Sequence, residues 1–108
     1  MYEERYWYVY ELLGDAYRET EEVEKALEIH NEILTHYEET GDISDILDAR
    51  LSISIDLETT GDYEKVYEFD KKSYDIVVDF YGEDSDEAKD YAGYLEDDLE
   101  TIKQSSDV

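Results

Sequence analysis

The sequence predicts an all-α fold of five antiparallel helices, arranged as about two and a half helical hairpins. Three observations carry that prediction. Apolar residues recur at helical spacing in five stretches; proline and cysteine are absent and glycine occurs only five times; and the chain repeats itself at an interval of about forty residues.

The first stretch carries Tyr6, Tyr10, Leu13 and Tyr17, with Tyr2 one turn earlier, and predicts a helix over 2–19. The second, over 22–39, is the cleanest: Val23, Ala26, Leu27, His30, Ile33, Leu34 and Tyr37 form the i, i+3, i+4, i+7 stripe of a helix buried along one side. Gly41 and Asp42 break it. A third stripe, Ile46, Ala49, Ile53 and Leu57, predicts a helix over 43–59, ended by Gly61 as a left-handed stop and followed by Asp62 as an N-cap. The fourth helix, 63–81, carries Val66, Tyr67, Ser73, Tyr74 and Val77. Asp84 to Glu87 has capping-box spacing for a fifth over 85–103, with Ala88, Ala92, Leu95, Leu99 and Ile102 on its apolar side and a tail from Gln104 to Val108 expected to fray. Leu51 to Ile55 alternates as a strand would, but it also fits the longer helical stripe, and one strand would have no sheet to join.

Composition narrows the function classes. At 108 residues the chain is expected to be a single domain over 1–108. Thirty-three acidic residues against nine basic ones give a formal charge of −24, which argues against direct binding to nucleic acid or anionic membranes and makes basic partners the natural complement. Such acidity favours disorder, yet twelve tyrosines, two phenylalanines and a tryptophan supply large groups to bury. No apolar run approaches a membrane span, and the start, Met1-Tyr2-Glu3-Glu4, lacks the basic opening of a signal peptide, so a cytoplasmic location is expected.

Sliding the chain on itself by 40 residues pairs Leu13 with Ile53, Tyr17 with Leu57 and Ala26 with Val66; a shift of 42 pairs Ile46 with Ala88 and Ile53 with Leu95. The motif Tyr10-x2-Leu13-Gly14-x2-Tyr17, followed by Ala26-x3-His30, resembles the tetratricopeptide-repeat family. Gly61 to Val66 looks like that family's turn between helices, and Tyr81 to Glu87 resembles the longer linker of its kinesin-light-chain-like variety. The resemblance spans nearly the whole chain. It departs where His30 stands for an aromatic, Ser54 for glycine and Glu38 for proline. It implies a right-handed α-solenoid in which Gly14 and Ser54 allow close helix approach and the first helices of successive hairpins line a concave, partner-binding surface.

On that register the groove is lined on the first helix by Tyr8, Glu11, Leu12 and Asp15, on the third by Asp48, Leu51, Ser52 and Ile55, and on the fifth by Asp90, Tyr94 and Asp97. The expected function is a protein–protein interaction module that binds a basic or amphipathic peptide or helix in an acidic groove. The family's familiar clamp for a C-terminal carboxylate uses basic side chains where this chain has Glu11, Asp15 and Asp90, so an anionic peptide is not the expected ligand. Two alternatives from other classes are an acidic decoy imitating nucleic acid and a self-assembling solenoid fragment.

No catalytic residue, cofactor or metal site is predicted. His30 and His36 are six residues apart, not the i, i+4 of helical zinc ligands; His30 is expected in the core and His36 on the surface. Asp84, Asp86 and Glu87 lack the central glycine of a calcium loop and read as a helix cap. Tyr2, Tyr6, Trp7, Tyr8 and Tyr10 form a cluster too wide for one stripe, with Trp7 and Tyr8 expected to fall away from the face of Tyr6 and Tyr10. They either pack locally or make a homo-oligomeric contact with a second copy or with upstream repeats.

Overall fold

The structure, a computed structural model, describes residues 4–106. Met1, Tyr2, Glu3, Asp107 and Val108 lie outside the described residues, and with them the expected helix start at residue 2, the place of Tyr2 in the first stripe and the last two residues of the tail. The described residues form five helices and no strand: α1 (Glu4–Glu19), α2 (Val23–Thr40), α3 (Ile43–Thr60), α4 (Tyr63–Tyr81) and α5 (Asp86–Ser106). None of these helices is long and apolar enough to cross a membrane.

Local chemistry explains the breaks. Gly61 adopts φ +80°, the left-handed conformation in which a Cβ is strained, and Asp62 then accepts the Lys65 N–H to open α4. Gly82 at φ +100° closes α4 with its N–H on the Val78 carbonyl. The cap of α5 is Ser85, whose Oγ accepts the Ala88 N–H at 3.1 Å; Asp84, where the capping box was expected to start, stands one residue too early. Between α1 and α2 the chain turns at Glu21, a non-glycine residue at φ +67°. The tail from Gln104 to Ser106, expected to fray, continues α5, with Ser106 bonded back to the Ile102 carbonyl.

Two compact units emerge, one through Thr60 and one from Gly61 onward. In the first, α2 is the middle helix, packed against both α1 and α3. Trp7 lies on His36, Tyr10 donates to Glu32 and Asp15 meets His30, so α1 runs antiparallel to α2. Ala26, Ile29, Ile33 and Leu34 of α2 and Leu47, Ala49, Ile53 and Leu57 of α3 are buried, each large side chain contributing about 1.5–3 kcal/mol. In the second unit α4 and α5 pair, with Val66 and Val77 of α4 and Ala88 and Tyr91 of α5 buried.

Three expected core positions are exposed; Tyr6, at 40%, stacks on Tyr10 and meets Trp7 edge-on. Leu13 is 43% exposed because the side of α1 that meets α2 runs Trp7, Tyr10, Gly14 and Tyr17, and Leu13 falls at its margin. Leu99 is half exposed because the buried side of α5 passes through Ala88, Tyr91 and Asp98 instead.

Gly61 and Gly93 offer contrasting tests. Gly61→Ala is expected to destabilise by about 1 kcal/mol, the strain of a left-handed Cβ. Gly93→Ala, inside α5 where an added Cβ meets nothing, is expected to stabilise by about 0.5–1 kcal/mol. Urea unfolding of both variants measures the pair.

Candidate functional site: a buried ion cluster beneath an acidic face

The three helices of the first unit meet at charged groups. Arg18 and Asp15 come from α1, His30 from the middle of α2 and Asp56 from the last turns of α3. Asp56 is fully buried and His30 is 1% exposed. The His30 Nδ1 lies 2.5 Å from Asp56 Oδ2, and Nε2 lies 3.1 Å from Asp15 Oδ1. Arg18 donates to Asp56 Oδ1 at 2.9 Å, contacts Asp15 at 3.4 Å and reaches the Ser52 carbonyl at 3.4 Å.

Both ring nitrogens face carboxylate oxygens that can only accept. An imidazolium satisfies both, whereas a neutral ring would turn a lone pair on one of them. With His30 protonated, two cations face two anions, which is the condition for keeping charge in a protein interior. Burial pushes the His30 pKa down, but the hydrogen bond and charge of Asp56 and the charge of Asp15 outweigh it, against Arg18, and raise it above the usual imidazole value.

Gly14 makes room for the ring. A Cβ built there would lie 2.6 Å from His30 Nε2 and 3.0 Å from Cδ2, closer than real contacts allow. Gly14 thus accommodates a side chain of the partner helix, and His30 fills the space it leaves.

Asp15, with its side chain 35% exposed, carries this cluster to the surface. Beside it stand two carboxylates with raised pKa values. Glu11 is shifted by partial burial, then by Asp15, with His30 opposing and Asp48 adding; Asp48 is shifted by partial burial, then by Asp45 and Asp42. Glu11, Asp15, Asp48 and Ser52, all placed in the groove by the sequence register, therefore neighbour the same cluster. Tyr8, Leu12 and Ile55 are 61%, 48% and 43% exposed, and Leu51 is half-buried. Asp90, Tyr94 and Asp97 belong to the second unit, where all three are exposed and Tyr94 makes an edge contact with Tyr91.

The remaining sequence readings divide. His30 is in the core as expected, but His36 is not a bare surface residue: its ring stacks on Trp7 with centroids 4.0 Å apart. Trp7 accordingly turns toward α2 rather than away, while Tyr8 does project outward. Arg18 and Asp56 were missed because an apolar stripe gives no weight to polar residues; the available signal was that Asp56 sits three residues beyond Ile53, on the buried side. Among the described residues no three His, Cys, Asp or Glu side chains are placed to hold a metal ion.

Gly14→Ala is expected to cost about 1–3 kcal/mol by overpacking, and less when His30 is also alanine; a double-mutant cycle on unfolding free energies reads the coupling. The pH dependence has a definite sign. His30 holds its proton more tightly when folded, so its contribution is complete below the unfolded pKa of about 6.5 and is lost as pH rises through the higher folded value. Glu11 and Asp48, raised likewise, add stability only on acidification into the carboxylate range. The urea midpoint should therefore fall as pH rises above about 6.5, and His30→Gln should remove that slope.

The chain matches no protein-family model, no curated protein and no solved structure.

Proposed function

We propose that the chain is a tetratricopeptide-like interaction module that takes up a basic, amphipathic peptide or helix on its acidic face and catalyses nothing. The observation that carries this reading is the juxtaposition on α1 and α3 of Glu11, Asp15 and Asp48 with the exposed apolar side chains Tyr8, Leu12 and Ile55. Partial burial and the charge of Asp15 raise the Glu11 pKa, and partial burial with Asp45 and Asp42 raises that of Asp48, a cost to the charged forms that an arriving ammonium or guanidinium group relieves. The acids steer a cationic ligand and the apolar groups retain it, the usual division between association and residence. Asp90, Tyr94 and Asp97 repeat the same mixture of acid and aromatic on α5. The internal repeat supports the family's right-handed stacking of hairpins as the accompanying architecture.

Fluorescence anisotropy with a labelled lysine- and leucine-based amphipathic helix, against a glutamate-based analogue, tests the proposal. The basic peptide should bind, less tightly as salt rises, and the acidic one should not. Leu51→Glu with Ile55→Glu should abolish binding with helical content nearly unchanged, and Glu11→Gln with Asp48→Asn should chiefly slow association. Equal binding of both peptides, or unimpaired binding by the Leu51 and Ile55 variant, rejects it.

A further inference from the structure

The outer flank of α1 carries a second apolar surface, which adjoins the acidic face at Leu12. Tyr6, Val9 and Leu13 are 40%, 56% and 43% exposed, and Ala16 is exposed with them. Val9, Leu12, Leu13 and Ala16 stand at i, i+3, i+4 and i+7, a helical stripe pointing away from α2. Although 33 of the chain's residues are acidic, none lies within this stripe. Along its α2 side runs a cleft of about 340 Å³ lined by Tyr10, Leu13, Tyr17, Lys25, Glu28 and Ile29.

We propose that this stripe pairs with the same stripe of a second copy, the two α1 helices antiparallel about a two-fold axis near Leu12 and Leu13. Charge placement selects that occupant. Arg5 lies at one end of the stripe and Glu19 at the other, both exposed and both on the side nearest Leu12. An antiparallel two-fold pairing sets matching flanks together, so Arg5 of each chain meets Glu19 of the other, Val9 faces Ala16, Leu12 meets Leu12 and Leu13 meets Leu13. A parallel pairing would set Arg5 level with Arg5 and Glu19 level with Glu19, across opposite flanks, with no opposite charges brought together. The paired length, about 24 Å for a helix of this size, buries on the order of 1,000 Å² in total, at the lower edge of specific interfaces. The dimer is therefore weak and concentration-dependent.

The net charge gives it an unusual salt response. Two chains of −24 repel, so screening strengthens the dimer, whereas uptake of a basic ligand on the acidic face weakens with salt. The two faces are thus distinguishable in one protein.

Sedimentation equilibrium of the intact chain over a range of concentrations and salt tests the pairing. A monomer–dimer equilibrium that tightens with salt is expected. Val9→Glu with Leu13→Glu should weaken it by on the order of 30-fold or more. Arg5→Glu or Glu19→Arg alone should weaken it by roughly 5-fold, and the two together should restore it; being exposed, these substitutions leave the fold intact, which circular dichroism checks. A chain that stays monomeric at high concentration and high salt, a larger open-ended oligomer, or a charge exchange that fails to restore the dimer overturns the proposal, leaving the stripe to a different partner.

Discussion

The first unit depends on an imidazolium shared between two carboxylates that come from different helices. His30 ties α2 to α3 through Asp56 and to α1 through Asp15, and Arg18 closes the circuit on both acids. Removing one partner would strand charge where Asp56 has no exposure, a loss of about 3–5 kcal/mol, while all four groups together are neutral. The cluster therefore contributes registration more than net stability. It specifies which turn of α1 faces which turn of α2, and Gly14 is the residue that allows the two helices to meet there.

A strongly acidic chain folds because its few cations and its aromatics are placed with economy. Arg18 pairs with the buried Asp56; Lys25 pairs with Glu22 and lies over Tyr17; Lys71 pairs with Asp75 and lies over Tyr74. The surface pairs contribute little individually. Most of the other acids are exposed, and where carboxylates gather beside apolar side chains, at Glu11, Asp15 and Asp48, the repulsion that opposes folding becomes an attraction for a cationic ligand. The same charge sets the opposing salt responses of the acidic face and the outer flank of α1.

Helix limits were legible in the sequence because they rest on local chemistry: Gly61 in the left-handed conformation, Asp62 capping α4, and the apolar period of α2. So was the burial of His30. The cap of α5 was misplaced by one residue because serine and aspartate compete for the role at adjacent positions. Leu13 and Leu99 were misassigned because apolar identity does not say which of two adjacent positions meets the neighbouring helix; at Gly14 the smaller residue does, since it admits His30. The acids near Asp15 were legible as a composition, but their link to a buried ion cluster was not. That link runs through Arg18 and Asp56, residues 38 apart, whose pairing only the three-helix arrangement creates.

The direct test of this account is the protonation state of His30 itself, read from the imidazole nitrogen and proton chemical shifts in a pH titration by nuclear magnetic resonance. The account predicts a ring that holds both protons to a higher pH than an ordinary histidine, with an Nδ1 proton shifted far downfield by Asp56. A neutral His30 at pH 6, titrating below the ordinary value, would contradict it.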